Sequence, residues 1–164
     1  METMYFPRII ELRREKEMLE RKLGVKIIIE GKKAIVDGEA LKEYEAVLVL
    51  EAMQFGFSAK KAILLKSENL IFRKLHIKSF TRRKDLSIVR GRVIGKEGKT
   101  KNALENISGC EIMVKDDSVG LIGSAESIEE ATTALTNLIR GSKQSNVYRF
   151  LERMNAAKKQ MGNE

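Results

Sequence analysis

Apolar positions along the chain follow two alternating periods, and the same order of periods occurs twice. In each half, a stretch with helical spacing ends at a glycine, two short apolar strands follow with a polar turn between them, and a longer amphipathic helix comes next. The predicted strands are residues 25–30 and 33–38 in the first half and residues 110–115 and 119–123 in the second. Alternating apolar and polar side chains also predict a leading strand at residues 75–80.

The two halves align with each other as copies of one unit. With a shift of 85 positions, no gap is needed over residues 9–56, and twelve positions in this stretch are identical. Gly38 then aligns with Gly123, and Gly56 aligns with Gly141. The chain is therefore predicted to contain two related modules.

The copies differ at one short segment. Residues 95–98 of the second copy are Gly-Lys-Glu-Gly, whereas the aligned residues 10–13 contain no glycine. We therefore predict one uninterrupted helix from about Pro7 to Leu23, with Pro7 at the first helical position, where its missing N–H is not needed. Because so few residues precede Pro7, the leading strand of the first copy is expected to be very short or absent.

The glycine-rich segment lies in RGRVIGKEGKTKNALENISG, residues 90–109. Its GKT resembles the end of a nucleotide-binding loop, but the G-x-x-x-x-G-K-[ST] spacing requires a glycine where the chain has Val93. Gly95 and Gly98 instead form a G-x-x-G between an apolar pair and a helical pattern, which is the core arrangement of a KH module. In that module the glycines let an RNA backbone approach the main chain, and the following helix directs its first amides at the phosphates.

These patterns predict an α+β fold made of two tandem type I KH-like domains with the order β-α-α-β-β-α. The first domain, residues 1–70, is expected to be shortened and to lack the G-x-x-G loop, and the second, residues 71–164, to retain it. Each is followed by a further apolar-periodic stretch, at residues 57–65 and 142–159, which predicts an extra helix.

The apolar stripe of the last helix must be covered by the protein itself or by a partner. Val147 and Phe150 are expected to dock on their own KH domain, which leaves Tyr148, Arg149 and Arg153 facing outward. Two interpretations stay open for this helix: it caps the domain, or Tyr148 or Arg149 also reaches toward RNA or a protein partner.

Positive charge is concentrated around the glycine loop. The chain carries 31 basic and 23 acidic residues, a net charge of +8, and residues 78–101 alone hold nine basic and two acidic residues, which gives +7. Charge focused on a phosphate-type loop favours a nucleic-acid partner over a role in solubility alone. Within this stretch, Arg82, Arg83 and Lys84 either form a flexible basic loop that attracts RNA without ordered contacts or contact RNA directly.

The residues expected to contact RNA lie in and beside the loop. Lys96 and Lys99 are the first candidates for phosphate contact, and Ile94 and Ile112 for the floor of the base-binding groove, although Ile112 is equally well explained as a core residue. The full set is Arg90, Arg92, Ile94, Gly95, Lys96, Glu97, Gly98, Lys99, Thr100, Lys101 and Ile112.

Composition argues against several other classes. A single cysteine excludes an intramolecular disulfide and a Cys-based zinc site, and it predicts a reducing, cytoplasmic compartment. His76 has no partner at metal-ligand spacing, so we expect no metal, no cofactor and no catalytic residue. No apolar run approaches the roughly 18 residues of a membrane span, and the N-terminus lacks the apolar region of a signal peptide.

Residues 90–109, 119–135 and 141–153 resemble the Partner of Nob, or Dim, family of archaeal and eukaryotic small-ribosomal-subunit assembly factors. The last segment, GSKQSNVYRFLER, is the most specific, because an ordinary KH domain does not continue in this way. The resemblance implies binding to single-stranded RNA in the 3′ region of small-subunit ribosomal RNA, cooperation with the Nob-type endonuclease that trims that end, and no catalysis by the KH protein itself. It also implies a connection with the alpha subunit of translation initiation factor 2.

Two alternatives stay open at this point. The short first domain departs from the usual archaeal pattern of the family, which leaves room for a Krr-type KH factor or for a general KH protein that binds messenger RNA. The other alternative is a protein-docking scaffold whose glycine loop is vestigial. RNA binding through phosphates predicts an RNA affinity that falls as the salt concentration rises, whereas a scaffold of this kind predicts no such salt dependence.

Overall fold

The computed structural model describes residues 1–162, and the chain forms two compact units, Met1–Phe72 and the part from Arg73 onward. Each unit contains one three-stranded sheet together with several helices. The predicted α+β fold with two KH-like units is confirmed. Among the residues described, no helix has the length and apolar character needed to cross a membrane.

The first unit has a short leading strand followed by one long helix. Its elements are β1 (Glu2–Tyr5), α1 (Ile10–Leu23), β2 (Lys26–Glu30), β3 (Lys33–Asp37), α2 (Ala40–Phe55), α3 (Ala59–Ala62) and a 3-10 turn (Ile63–Lys66). The strands pair in the order β1-β3-β2, with Ile35 of β3 opposite both Thr3 and Ile28. As predicted, no glycine loop interrupts α1.

Two boundaries of the first unit differ from the prediction. Helix α1 starts at Ile10 and not near Pro7, because Phe6 is buried and its N–H donates to the carbonyl of Lys32 at 2.8 Å, which keeps the chain on the sheet up to this point. The extra helix expected at residues 57–65 is only the single turn α3 and the 3-10 turn after it.

The second unit contains the helix pair and the glycine loop that the first lacks. Its elements are β4 (Ile71–His76), a 3-10 turn (Ile77–Ser79), α4 (Leu86–Ile94), a 3-10 turn (Lys96–Gly98), α5 (Lys99–Ser108), β5 (Glu111–Lys115), β6 (Ser118–Gly123), α6 (Ala125–Ile139) and α7 (Gln144–Gly162). The strands pair in the order β4-β6-β5, and β5 and β6 form an antiparallel hairpin in which Ile112 lies opposite Leu121.

The leading strand of the second unit lies earlier than predicted. We expected it at residues 75–80, but β4 ends at His76 and the chain then turns. Ile77 is fully buried and Phe80 packs against the same core, and the N–H of Phe80 donates to the carbonyl of Ile77 at 3.0 Å. Apolar residues three apart in a turn therefore produced a pattern that resembled a strand.

The last helix is docked on its own unit. Val147 and Leu151 of α7 are buried in the core of the second unit, and Phe150 packs against that core, which confirms the prediction for Val147 and Phe150. Tyr148 also packs against the core, so the expectation that it faces outward is wrong. Arg149 is exposed, as expected.

The alignment of the two copies corresponds to shared hydrogen bonds. In the first unit, a carboxylate oxygen of Glu20 accepts the N–H of Ile27 at 2.9 Å; in the second, Glu105 accepts the N–H of Ile112 at 3.0 Å. In each unit a glutamate of the helix before the hairpin thus holds the hairpin's first strand. The two identical pairs are related by the shift of 85 positions seen in the sequence.

Candidate nucleic-acid interface

The G-x-x-G segment forms a compact turn between α4 and α5. The N–H of Gly95 donates to the carbonyl of Gly91 at 2.8 Å and closes the last turn of α4. The N–H of Gly98 then donates to the carbonyl of Gly95 at 3.2 Å, and α5 begins at the next residue. The four residues of the G-x-x-G segment are thus the whole connection between α4 and α5.

Gly95 is folded back onto the first turn of α5. A Cβ atom placed on Gly95 would lie 2.1 Å from Thr100 Oγ1 and 2.7 Å from the main-chain nitrogen of Thr100. Its φ of 75° and ψ of 173° also lie in a region that is essentially restricted to glycine. No other residue type fits this position without moving the loop.

Thr100 packs against Gly95 of the glycine turn. It is only 2% exposed, and its hydroxyl oxygen accepts a hydrogen bond from Gln144 Nε2 at 2.9 Å. Thr100 was among the residues expected to contact RNA, but this burial leaves it almost no surface for a ligand. Its position indicates a supporting role, which the sequence spacing alone did not reveal.

The N-terminus of α5 is open, whereas that of α4 is already occupied. Gly98 precedes α5 and provides no side-chain cap, so no protein carboxylate or hydroxyl occupies the positive end of this helix dipole. At α4 the carboxylate of Asp85 accepts the N–H and the hydroxyl of Ser87, at 3.0 and 2.6 Å. Both hydrogen bonds hold the pKa of Asp85 below its usual value, and the bond from the Ser87 hydroxyl has the larger effect. Of the two helices, α5 is the one able to receive an anion.

The candidate lysines and Glu97 differ in how accessible they are. Lys96, Glu97 and Lys99 are exposed at the turn and on the first residue of α5. Lys101 is half-buried, and its ammonium group forms an ion pair with Glu105 at 2.9 Å. Lys96 and Lys99 are therefore free to meet a phosphate, whereas Lys101 is held along the helix.

The two candidate arginines of α4 lie on different sides of the helix. Arg90 Nη1 donates to the carbonyl of Asp116, in the turn between β5 and β6, at 3.1 Å. Arg92 Nη1 instead lies beside Gly141, 3.6 Å from where a Cβ of that residue would be. The structure therefore does not bring Arg90 and Arg92 together, although the sequence placed them in one group.

The apolar candidates also separate. Ile112 is 2% exposed and belongs to the core, so it supports the sheet and offers little surface to a base. Ile94 is partly exposed at the end of α4. Sequence reasoning missed Ile88, which is 52% exposed, and Gly91, where a Cβ would meet no atom within 4 Å.

An apolar strip runs along one face of α4 to the glycine turn; its members are the exposed Ile88 and Gly91 and the partly exposed Gly95. Residues at these spacings share a face of a helix, and the strip ends at the glycine turn. A flat apolar surface beside a phosphate-binding turn suits a nucleotide, since the base can lie on the strip while its phosphate meets the turn. The signal in the sequence was the spacing of Val89 and Val93, which share one face of a helix and leave Ile88 outside that face; the structure buries the two valines and exposes Ile88.

The second unit is therefore a type I KH domain: a helix, a G-x-x-G turn and a second helix packed on a three-stranded sheet. Residues 71–156 match a family model described as "Eukaryotic type KH-domain (KH-domain type I)", which represents the second KH domain of PNO1. The chain belongs to the PNO1/Dim2 family of KH-domain proteins, and the resemblance noted in the sequence is confirmed.

Similar proteins come from archaea and eukaryotes. A KH domain-containing protein of Methanocaldococcus jannaschii is 30% identical over 84% of this chain and 64% of its own length. The pre-rRNA-processing protein pno1 of Emericella nidulans is 31% identical over 85% of this chain and 57% of its own. The chain thus spans about three fifths of the length of these two curated relatives.

Among solved structures, the chain is similar to one from the a/eIF2alpha-aDim2p-rRNA complex of Pyrococcus horikoshii OT3. The TM-score is 0.85 at 30% sequence identity, and the match covers 95% of this chain and 94% of the other. The similarity therefore extends over both units and is not limited to the KH domain that carries the glycine turn.

Proposed function

We propose that this protein is a non-catalytic ribosome-assembly factor that binds single-stranded small-subunit ribosomal RNA near its 3′ end through its second KH domain. The observation that carries the proposal is the glycine turn, which presents the open N-terminus of α5 between the exposed Lys96 and Lys99. The names of the relatives support the RNA class, since one is a pre-rRNA-processing protein and another was solved in a complex with rRNA.

The groove of a KH domain binds single-stranded RNA but limits how much sequence the protein can recognise. Its G-x-x-G turn clamps about four nucleotides, so the sequence that it reads is short. Selection of one site in ribosomal RNA then requires RNA shape or protein partners. We propose the alpha subunit of translation initiation factor 2 as one partner, supported by the complex named for the Pyrococcus relative, and a Nob-type endonuclease as another.

We assign the first unit a structural role. Its single helix α1 occupies the place of the glycine turn and the second KH helix, and no element corresponding to α4 precedes it. Helix α1 also begins without a side-chain cap, but no glycine turn precedes it that would let an RNA backbone approach those amides. The first unit then serves as a packed platform, and RNA contact is made by the second.

Crosslinking the full chain to total RNA in an archaeal or eukaryotic cell extract tests the proposed substrate. We expect enrichment of the 3′ region of small-subunit ribosomal RNA. Enrichment of messenger RNA alone would exclude the assembly role and favour a general KH protein. Recovery of no RNA would exclude both, and the scaffold function would then be the better explanation.

The dependence of affinity on salt tests the contact chemistry. Each neutralised phosphate of a single strand contributes about −0.7 to the slope of log affinity against log salt, so three or four contacts predict a slope of roughly −2 to −3. A flat response, together with tight binding of the endonuclease, would contradict phosphate recognition and support a docking scaffold.

A further inference from the structure

A second basic concavity lies at the far end of α4 from the glycine turn. It has a volume of about 650 Å³ and is formed by the segment before α4, the first turn of α4 and the turn between β5 and β6. Five cationic side chains line it, against the two carboxylates of Asp85 and Asp117. The five are Lys78, Arg82, Arg83, Lys84 and Arg90.

The cations of this concavity are available to a ligand. Within residues 1–162, the side chains of Arg82, Arg83 and Lys84 make no ion pair, and all three are exposed. Of the two acids, Asp85 is already committed, because its carboxylate caps α4 through Ser87. The concavity therefore has a surplus of positive charge that the protein does not neutralise itself.

The charge belongs to side chains and not to helix amides. The Asp85 carboxylate accepts the N–H of Ser87 and places a negative charge at the N-terminus of α4, which disfavours a second anion at the amides there. A ligand would instead meet guanidinium and ammonium groups, which favour phosphate oxygens. Arg90 joins this concavity to the hairpin through its hydrogen bond to the carbonyl of Asp116.

The distance along α4 relates the concavity to the glycine turn. Ser87 lines the concavity and Gly95 begins the turn, and the eight residue steps from one to the other span about 12 Å of helix at about 1.5 Å per step. The exposed apolar strip of α4 lies between these two ends. A single strand that rests on this strip with one phosphate at the turn would carry its next phosphates toward the concavity.

We propose that this concavity is a second phosphate-binding site, which holds the RNA backbone where the strand leaves the KH groove. The inference rests on the proposed RNA-binding function and deepens it, since it lengthens the bound strand beyond the nucleotides clamped by the glycine turn. Arg82 and Arg83 provide the phosphate contacts, and Arg90 fixes the wall of the site nearest the groove.

The test compares a tetranucleotide with the same tetranucleotide extended by two abasic nucleotides at the 5′ or at the 3′ end. The extensions add phosphates and sugars without bases, so any gain in affinity comes from the backbone. For the unmodified full chain we expect one of the two extensions to raise affinity by about threefold to tenfold, the range expected for two exposed charge contacts. No gain from either extension would overturn the proposal.

The variant for this test is Arg82→Gln with Arg83→Gln, and its matched control is Lys32→Gln with Lys33→Gln. The control removes the same charge from two exposed residues of the first unit. We expect the arginine variant to lose the gain from the extension, to reduce the salt slope for the extended RNA by about 1.4, and to bind the tetranucleotide as before. The lysine control should leave the gain from the extension, the salt slope and the affinity for the tetranucleotide unchanged.

Two results would overturn an ordered site while leaving the proposed function intact. Equal weakening of the tetranucleotide and the extended RNA by the arginine variant would indicate general electrostatic attraction. A gain that requires bases in the extension would indicate a base-binding site. If the unmodified chain binds neither RNA at any salt concentration, the proposed function itself fails, which separates the two failures.

Discussion

At the scale of single residues, the two glycines of the turn meet different physical demands. Gly95 combines a glycine-only backbone conformation with a Cβ direction that is blocked by Thr100. Gly98 has an ordinary left-handed conformation, φ 76° and ψ 10°, and the nearest atom to its Cβ would be Asn102 Nδ2 at 3.9 Å. Space and backbone both require glycine at the first position, but only backbone conformation favours it at the second.

We therefore expect Gly95→Ala to be more damaging than Gly98→Ala. A left-handed conformation costs alanine about 1–2 kcal/mol, and Gly98→Asn should cost less because Asn tolerates that conformation. At Gly95 the overlap with Thr100 adds to the strain, so the loop must move and RNA affinity should fall with stability. Thermal unfolding and RNA titration of the three variants measure both effects. Equal losses from the two alanine variants would contradict this account.

Single residues also show where sequence reasoning was limited. The glycines and Lys96 could be predicted because the G-x-x-G spacing is local. The burial of Thr100 could not, since it depends on Gln144 of α7, and for Ile112 the sequence left the core and the groove as equal interpretations, of which the structure shows the core. A local motif predicts which segment binds, but the neighbours from distant segments decide which side chains remain exposed.

At the scale of elements, α7 fastens both ends of α5. Gln144, at the start of α7, donates to Thr100 in the first turn of α5, and Asn155 Nδ2 donates to the carbonyl of Ile107 near its end at 2.5 Å. Helix α5 is the one whose open N-terminus lies at the glycine turn. The C-terminal extension therefore fixes the position of α5, the helix of the proposed phosphate site, in addition to covering the core.

Truncation after Gly141 should lower the melting temperature. Val147 and Leu151 are almost fully buried, and burial of such side chains contributes about 1.5–3 kcal/mol each. Each kcal/mol corresponds to about 4–8 °C in a domain of this size, so we expect a decrease of more than about 10 °C. Arg149→Ala with Arg153→Ala should leave the melting temperature within about 2 °C, because both side chains are exposed. An unchanged melting temperature after truncation would mean that α7 is not docked in solution.

Gln144→Ala isolates the positioning role from the packing role. Gln144 is exposed, so its loss removes the hydrogen bond to Thr100 with little loss of core packing. We expect RNA affinity to fall about threefold to tenfold, in line with a hydrogen bond of about 1 kcal/mol, with only a small change in melting temperature. Gln144→Glu removes the amide donor, but the Thr100 hydroxyl can donate to the new carboxylate, so we expect a smaller loss of RNA affinity than with alanine. Wild-type affinity in both variants would show that the loop needs no support from α7.

Most elements could be predicted from the sequence because each one occurs in two aligned copies, so the pattern in one copy could be checked against the other. The hairpin strands lie within a residue of their predicted positions in both units. The errors lie outside the aligned stretch: β4 was placed too late, the start of α1 too early at Pro7, and residues 57–65 were expected to form a full helix. The alignment of the two copies therefore gave no check on these three positions.

At the scale of the whole molecule, the two units share a scaffold and differ in the segment that carries the site. Gly38 and Gly123 occupy equivalent places, where an added Cβ would lie 3.0 Å from Val25 Cγ1 and 2.7 Å from Cys110 Sγ. Between the first strand and the helix that precedes the hairpin, the first unit has residues 6–9 only, whereas the second has residues 77–98, which include a 3-10 turn, α4 and the glycine loop. The scaffold is common to both copies, and the helix α4 with the glycine turn occurs in one.

This asymmetry predicts that RNA binding depends on one unit. Replacing Lys96 and Glu97 by Asp-Asp places carboxylates where a phosphate is expected and leaves both glycines in place; Glu97 has a φ of 57°, which Asp tolerates. RNA affinity should fall at least tenfold, or about 1.4 kcal/mol.

The control is Lys32→Asp, at an exposed turn residue of the first unit, which makes the same change of charge. Leu12 aligns with the loop but is fully buried, so a charge at that position would also destabilise the fold. Lys32→Asp should change RNA affinity less than twofold, which a filter-binding or fluorescence titration can resolve, and equal losses from the two folded variants would mean that both units contact RNA.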